Sequence, residues 1–227
     1  MSDTFDFKDG KGPVSAHKHL NGGGWVADTS KISDTAYVGP DAQVSDNARV
    51  SGYARVSDNA QVSGYAQVSG YAQVSDNAQV SDNAKVYGYA QVSDNAQVPD
   101  NAVVSGYAQV SDNARVSGYA RVSDNAQVSG YAQVSGYARV SGYAQVSGYA
   151  VVKRGEYTIT PTSITRSDGY TFTLQSDGSI VAGCRDFTSE EADAHWGNPK
   201  HHRHAESMAI LTALRAIDAA RKGGKDE

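Results

Sequence analysis

The sequence is poor in the residues from which a conventional core is built. Its 227 residues include one cysteine, two methionines and four phenylalanines, and most of its aliphatic residues are Val and Ala in a fixed rhythm. The one cysteine, Cys184, cannot form a disulfide within the chain, which is typical of a reducing compartment. These shortages argue against a globular domain packed from blocks of Leu, Ile and Phe.

A basic excess and a long apolar run are also missing. The net charge of −5 gives no support for binding to a nucleic acid polymer, since such proteins usually carry a basic excess. No apolar run reaches the ~18 residues of a membrane span. The first 25 residues contain no apolar stretch of the kind that marks a secretory signal. We therefore expect a soluble cytoplasmic protein whose partners are neither nucleic acid polymers nor membranes.

What the sequence does contain is a repeat of six residues. An aliphatic residue falls at every sixth position from Val26 to Val152, in units of Val-Ser-(Gly-Tyr or Asp-Asn)-Ala-(Gln or Arg). Val and Ala alternate with Gln and Ser, so Val and Ala should face a core. Gly, Asn and Asp tolerate the left-handed backbone of a tight corner. Three strands and three corners predict a triangular coil of 18 residues, an all-β solenoid roughly 35 Å long at the usual strand spacing.

Corners that are 18 residues apart should stack in columns along this solenoid, at steps of ~4.8 Å. One column consists of tyrosines over four coils: Tyr53, Tyr71, Tyr89 and Tyr107. An exposed stripe of aromatic rings favours a subunit interface. The alternatives are rings that only pack on one another and a platform that stacks a ligand.

The repeat resembles that of the hexapeptide-repeat family, in which an aliphatic residue is followed by two turn positions and a small residue. The resemblance implies a left-handed parallel β-helix and a homotrimer. Many members are acyltransferases and one branch is a zinc carbonic anhydrase, and both activities need histidines in or beside the coils. None of the six histidines lies between Val26 and Val152, and no insertion interrupts the coils. We therefore expect a protein that is not an enzyme.

Residues 1–25 precede the repeat and predict an N-terminal cap. His17 and His19 are two apart and would lie on one side of an extended chain, while Gly22-Gly23-Gly24 could converge their N–H groups on an anion. These residues could hold a small anionic ligand or a metal at the mouth of the solenoid. The alternative is that Trp25 plugs the open end, and this is favoured because such an end must be covered.

The rhythm of residues 26–152 ends at Lys153, and residues 153–227 predict a small α+β module. Turn signals at 167–169 and 176–178 flank an alternating segment at 170–174, as in an antiparallel β-meander whose first strands are 157–160 and 163–165 and which ends in 179–184. Thr188 and Glu191 have the spacing of a capping box for a helix that runs to about Trp196. A second helix would present one apolar face formed by Met208, Leu211, Leu214 and Ile217.

Cationic and proton-donating groups, together with one aromatic ring, are concentrated in this module. They are Arg185, His195, Trp196, Lys200, His201, His202 and Arg203. Such groups could hold a nucleotide-like anion. The alternative, a solvated basic loop with Trp196 in the small core, is the favoured one. Cys184, His195, His201 and His204 could supply zinc ligands, but their spacing matches no standard zinc finger, so we expect no metal and no other cofactor.

The two ends also resemble those of a group of phage and prophage proteins with hexapeptide shafts. The likeness lies in His17-x-His19…Gly22-Gly23-Gly24-Trp25-Val26 and in Gly183-Cys184…Thr188-x-x-Glu191…His195-Trp196. It implies a phage origin, with the host cytoplasm as location, but no activity. The preferred function is capture of a small anionic ligand, such as a host nucleotide immune signal, by the end modules. A structural or adaptor trimer that binds proteins is the alternative, and an enzyme is least expected.

Overall fold

The computed structural model describes residues 3–183 and 185–223. Its N-terminal strands are β1 (Asp3–Phe5), β2 (Val14–Lys18) and β3 (Trp25–Ala27). Two-residue strands then follow at six-residue intervals. They are β4 (Lys31–Ile32), β5 (Tyr37–Val38), β6 (Gln43–Val44), β7 (Arg49–Val50), β8 (Arg55–Val56), β9 (Gln61–Val62), β10 (Gln67–Val68), β11 (Gln73–Val74), β12 (Gln79–Val80), β13 (Lys85–Val86), β14 (Gln91–Val92), β15 (Gln97–Val98), β16 (Val103–Val104), β17 (Gln109–Val110), β18 (Arg115–Val116), β19 (Arg121–Val122), β20 (Gln127–Val128), β21 (Gln133–Val134), β22 (Arg139–Val140), β23 (Gln145–Val146) and β24 (Val151–Val152).

The remaining elements belong to the C-terminal end. They are β25 (Glu156–Tyr157), β26 (Ser163–Thr165), β27 (Thr171–Leu174), β28 (Ile180–Ala182), β29 (Arg185–Phe187), α1 (Ser189–Trp196) and α2 (His204–Gly223). The meander strands β26, β27 and β28 and the two helices were predicted, whereas β29 lies beyond the predicted end of the meander and was not. The predicted strand at 157–160 is different, because Tyr157 belongs to β25 and residues 158–160 are not in a strand.

The short strands form the three faces of a parallel β-solenoid. Every third strand belongs to the same sheet: face A contains β3, β6 and so on to β24, face B contains β4, β7 and so on to β25, and face C contains β5, β8 and so on to β23. Val68 pairs with Val50 on one side and with Val86 on the other, so neighbouring strands are separated by three units of the repeat. The predicted triangular coil, with one unit on each face, is confirmed. We call this solenoid, residues 25–157, the shaft.

The inside of the shaft is filled by Val and Ala. From Ala36 to Val152 these inward residues are at most 3% exposed, and they form one continuous hydrophobic cluster. The outward Gln and Arg side chains are mostly exposed, as the alternation of a strand requires. The backbone N–H and C=O groups pair with the neighbouring coil, as in the bond of Tyr89 N–H to the Gly106 carbonyl at 2.8 Å.

The corners take a left-handed turn at their first residue. Gly52 has φ +67° and Asp76 has φ +59°, so both corner types use the same backbone. The aspartates compensate for this conformation with a hydrogen bond to the next coil, as when the Asp76 carboxylate accepts from the Asp94 N–H at 3.3 Å. Asp-Asn corners therefore tie adjacent coils together through a hydrogen bond from the backbone to a side chain, which the glycine of a Gly-Tyr corner cannot accept.

The N-terminal end of the shaft is covered by a hairpin. Strand β2 pairs antiparallel with β3, and β1 pairs antiparallel with β2, so face A gains two further strands. Trp25 does not plug the lumen, contrary to the favoured interpretation. Its ring stacks on Phe5 at 4.5 Å, in a small cluster with Phe7, Ala16 and Ala27 that is separate from the shaft core. Trp25 occupies the outward position in register with Gln43, which explains the difference.

At the C-terminal end the shaft continues beyond Val152. Strand β25 pairs with β22, and Val140 lies opposite Tyr157, so this last coil is one residue shorter than the coils before it. The Tyr157 ring is 4% exposed and ends the shaft core. The solenoid therefore extends beyond Val152, where the six-residue repeat ends in the sequence. Its last strand is not visible in the repeat, because the last coil is one residue short.

The C-terminal module, residues 158–223, packs its sheet between the helices and the end of the shaft. One sheet face and the helices enclose the second hydrophobic core: Phe172, Leu174, Ile180, Ala182, Phe187, Ala192, Trp196, Ile210, Leu211 and Leu214, with Met208 and Ile217 partly buried against it. The predicted apolar face of α2 is confirmed by this packing. The predicted capping box is present as well, with reciprocal hydrogen bonds between Thr188 and Glu191.

Polar side chains of β27 and of the turn after it join the module to the last coil. The buried Gln175 amide donates to the Val151 carbonyl at 2.9 Å, and its oxygen accepts from the Lys153 N–H at 3.0 Å. The Thr173 hydroxyl accepts from the Val151 N–H at 3.1 Å. These bonds replace the missing next strand, and so they satisfy backbone groups that a bare end would leave unpaired.

Candidate functional site

A cleft lies between face A of the last coils and the C-terminal module. Its volume is about 580 Å³. The lining consists of amides, phenols and one guanidinium group: Asn95, Gln97, Asn113, Arg115, Tyr131, Gln133, Tyr149 and Tyr170, with Val151, Gly169, Thr171 and Gly183. The shaft supplies one wall, and the turns of the β-meander supply the other. We call this space the cleft.

The shaft departs from its repeat where it borders the cleft. The outward column of face A reads Gln at residues 43, 61, 79 and 97, and then becomes arginine at Arg115. The corner column beside it carries Asp-Asn in four successive coils and then Gly-Tyr at Tyr131 and Tyr149. A cation and two rings therefore replace amides and acids in the coils that the module overhangs.

These departures give the cleft a stacking surface beside a positive charge. The rings of Tyr131 and Tyr149 are parallel to within 5°, with centroids 5.2 Å apart, and both are more than half exposed. Arg115 donates to the Gln97 amide oxygen at 2.6 Å, so its recorded partner is neutral. A planar anionic ligand would find here both a face to stack on and a guanidinium group to bind.

The opposite wall is held by a buried arginine. Arg166 is 8% exposed, donates two hydrogen bonds to Asp168, and lies over the Tyr170 ring at 5.0 Å. These hydrogen bonds lower the pKa of the Asp168 carboxyl to about 2. The Tyr170 hydroxyl donates to the Ala182 carbonyl at 3.0 Å. The turn at 166–170 is thus fixed in place beside the cleft.

The predicted cationic cluster of the module is only partly assembled. Arg185 and His195 both lie against the Phe187 ring, at 5.2 and 5.3 Å, and His201 lies 5.1 Å from His195. Burial lowers the pKa of His195, and the nearby positive charges of His201 and Arg185 lower it further. The Phe187 ring of the edge strand β29 is therefore flanked by two basic groups, and His201 lies beside one of them.

Other residues predicted for this cluster have different roles. Trp196 is 1% exposed and packs between Phe172 and Phe187, so it fills the module core as the alternative interpretation held. Arg203 turns away, towards Ser167, Asp168 and Glu206. Lys200 and His202 are exposed in the loop between the helices.

A metal site at this loop was an open alternative. Cys184 lies outside the described residues. Over residues 3–183 and 185–223, no group of three or more His, Asp or Glu side chains is placed to hold a metal ion. Nδ1 of His204 donates to the Trp196 carbonyl at 2.6 Å, which accounts for that ring nitrogen.

The candidate residues of the N-terminal cap do not converge on one site. His17 donates to the Asp28 carboxylate at 2.7 Å, whereas the buried His19 donates to the Ala36 carbonyl at 3.1 Å. The hydrogen bonds from Ser15 and His17 lower the pKa of Asp28. The Gly23 and Gly24 N–H groups donate to the carbonyls of residues 19 and 38, so they do not form an anion-binding nest.

The Tyr column, formed by Tyr53, Tyr71, Tyr89 and Tyr107, is continuous. Successive ring centroids are 5.4, 5.1 and 5.0 Å apart, and the planes differ by 3–13°. The rings do pack on one another, and each still exposes 49–60% of its surface. Stacking within the column therefore leaves about half of the ring surface exposed to solvent.

Sequence reasoning missed the cleft. Arg115 and Tyr170 were not candidates, because their proximity depends on how the module meets the shaft. A signal was nevertheless present in the columns, where Arg115 replaces glutamine and Tyr131 replaces asparagine. Neither of the two helices within the described ranges is long and apolar enough to cross a membrane.

Comparison with protein families identifies a known repeat that the shaft resembles. The family described as YdcK beta solenoid repeat matches residues 42–57, 54–70, 78–94, 108–124, 120–136 and 132–148. All six segments lie in the shaft and together cover less than half of the chain. A comparison with curated proteins gave no match. With its parallel coils of three short strands, the chain is a β-solenoid repeat protein whose repeats are similar to the YdcK beta solenoid repeat.

Proposed function

We propose that this protein is a non-enzymatic binding protein that captures a small anionic ligand with a planar ring, such as a nucleotide, in the cleft. The observation that carries the proposal is the coincidence of Arg115, Tyr131 and Tyr149 with the overhang of the C-terminal module. A volume of about 580 Å³ lies within the usual range of small-molecule sites.

The chemistry of the lining supports binding over catalysis. The described residues that line the cleft include no histidine and no carboxylate. Guanidinium groups bind phosphate through paired charged hydrogen bonds, tyrosine rings stack on bases, and the surrounding amides supply further hydrogen bonds. The likeness of the two ends to phage proteins with hexapeptide shafts implies an origin and no activity, but a phage often needs to neutralise a component of its host, and a host nucleotide immune signal would be such a ligand.

The first test is native mass spectrometry of the protein purified from cells, followed by calorimetric titration with AMP and with a cyclic dinucleotide. We expect bound mass of a few hundred daltons per site. Arg115→Gln should weaken binding ~10- to 100-fold, because it removes a charged hydrogen bond of about 1.5–3 kcal/mol. Arg55→Gln, on face C against the Tyr37 ring, is the matched control.

Two outcomes would contradict the cleft as the binding site. If Arg115→Gln binds every probe as tightly as the wild type, the cleft is the wrong location. Loss of binding in the double variant Arg185→Ala with His195→Ala, and not in Arg115→Gln, would assign the ligand to the cluster around Phe187 instead.

We also propose that the protein acts as a homotrimer whose contacts include the Tyr column. The supporting observation is that four stacked rings remain about half exposed along one corner, and exposed aromatic patches of this kind mark interaction sites. An adaptor trimer that binds other proteins is the second candidate function, and it rests on the same surface.

Two sets of tyrosine substitutions separate the two proposals. Replacing the Tyr column by serine should produce monomers that still bind ligand, as measured by light scattering coupled to gel filtration. Replacing Tyr131 and Tyr149 by serine should abolish ligand binding and leave the trimer. If the Tyr-column variant stays trimeric, the Tyr column is not the subunit interface and its rings only pack on one another.

A further inference from the structure

The outward column of face B is basic, unlike those of the other two faces. Five of the seven Lys and Arg residues between Val26 and Val152 lie on it: Lys31, Arg49, Lys85, Arg121 and Arg139. All five side chains are exposed. Neither the resemblance to other repeats nor the cleft explains why charge of one sign is gathered on one face.

A groove runs along this basic column. It has a volume of about 590 Å³ and lies between the outward column of face B and the corner that joins face A to face B. The face supplies Arg49, Gln67, Lys85, Val103 and Arg121, and the corner supplies Asn47, Tyr65, Asn83 and Asn101. Among the ion pairs of residues 3–183 and 185–223, none involves Arg49, Lys85 or Arg121. We call it the face B groove.

We propose that the face B groove receives the Tyr column of a second copy of this chain. The inference deepens the proposed homotrimer by naming the surface that the Tyr column meets. The contact is heterologous, with the column of each protomer in the groove of the next.

The first argument is that the two surfaces share one axial repeat. Both are built on the same three-unit coils, so both advance along the shaft in the same steps of ~4.8 Å. Tyr53 follows Arg49 by four positions, and Tyr89 follows Lys85 by four, which is only ~1 Å of axial rise. In a ring of parallel shafts, residues at equal height meet. Column and groove therefore stay in register over their whole length.

The second argument is chemical complementarity. The ring faces of the Tyr column meet one another, so the ring edges and hydroxyls are what a partner contacts. The groove offers guanidinium, ammonium and amide donors to the phenol oxygens, and amide oxygens to the phenol protons. The aliphatic stems of Arg49 and Lys85, together with Val103, suit the ring edges.

The third argument is closure of the ring. In a three-sided prism, the normal of a face and the direction of an adjacent corner differ by about 60°, which is the angle between the two neighbours of a subunit in a three-membered ring. The Tyr column occupies the corner between faces B and C. Placing it on face B of the next copy therefore closes at three, and it leaves face A, with the cleft, on the outside.

Disulfide cross-linking tests the contact directly. In a Cys184→Ser background, Tyr71→Cys combined with Gln67→Cys pairs a column position with a groove position at nearly the same height. Mild oxidation should give a covalent trimer on a non-reducing gel. Tyr71→Cys combined with Gln73→Cys, an exposed glutamine of face C, is the matched control and should give monomers.

The outcomes distinguish a wrong face B contact from a wrong homotrimer. Cross-linking through Gln73→Cys, or dimers from Tyr71→Cys alone, would overturn the face B contact while leaving an oligomer. A wild-type monomer in light scattering would overturn the homotrimer and this inference together. In the cysteine-free background, replacing Arg49, Lys85 and Arg121 by Gln should raise the concentration for half-dissociation of the trimer at least ~10-fold. An unchanged value would contradict the contact.

Discussion

The shaft and the C-terminal module reach a packed structure in opposite ways. The shaft core consists almost entirely of Val and Ala, each fully buried and each supported by its equivalent in the next coil. The module core depends on a few large side chains, above all Phe172, Phe187 and Trp196. Stability in the shaft is therefore a sum of nearly equal coil contributions, whereas in the module it is concentrated in single residues.

The largest expected effect tests this concentration in the module. Trp196→Ala should cost about 3–5 kcal/mol, because it removes a fully buried ring and leaves a cavity. The helical circular dichroism signal, which comes from α1 and α2, should then melt well below the β-sheet signal of the shaft. The control Val80→Ala, in the middle of the shaft, should move the helical signal little. A single common transition for Trp196→Ala would show that the two regions unfold together.

The next effect concerns the junction between the two regions. Gln175→Leu should cost about 2–3 kcal/mol, because it removes the two hydrogen bonds that the Gln175 amide makes to partly buried backbone groups of residues 151 and 153. Protease cleavage should appear first between the shaft and the module. Gln79→Leu, at an exposed outward position, should stay within ~0.5 kcal/mol of the wild type. Equal stability of the two variants would mean that water replaces the Gln175 bonds.

A smaller effect distinguishes the corner types of the shaft. Asp76→Ala should cost about 1–2 kcal/mol, because alanine is strained at positive φ. Asp76→Gly should cost less, since glycine accepts this backbone and loses only the hydrogen bonds that the carboxylate accepts from the Asp94 N–H and the Ser75 hydroxyl. Chemical denaturation of the two variants gives the comparison. An alanine variant as stable as the glycine variant would mean that the lost side-chain hydrogen bonds, not the backbone conformation, make the main contribution.

The smallest effect is a dependence on pH that belongs to the module. Arg166 lowers the pKa of Asp168 to about 2, below the ordinary value of 3.8. The stabilisation is therefore complete above about pH 4 and is lost as the pH falls through the folded pKa. The difference in unfolding free energy between the wild type and Asp168→Asn should shrink between pH 5 and pH 2. A constant difference would remove Asp168 from the acid response.

The shaft could be predicted from sequence because its structure is one-dimensional. The position of each Val or Ala within the repeat is enough to predict that it is buried. Corner residues such as Tyr71 and Tyr89 stack because three units of the repeat separate them. The prediction failed at the last coil, where the spacing between paired residues changes. Tyr157 pairs with Val140 after 17 residues, not 18, so it does not fall on the six-residue repeat. Local signals in the module were equally readable, as the capping box of Thr188 shows.

The candidate site was largely hidden for a physical reason. Arg115 and Tyr170 are far apart in the sequence, and only the docking of the module on the last coil brings them to one cleft. Trp196 was a candidate ligand group because its burial depends on helix packing that spacing alone does not give.

A shaft in which each six-residue unit occupies one of three faces is also a device for setting an angle. Inserting one unit after Val80 would turn the C-terminal module by about a third of a revolution while lifting it by only ~1.6 Å. Inserting three units would restore the angle and lengthen the shaft by ~4.8 Å. The number of repeats therefore fixes the mutual orientation of the two ends without any contact between them.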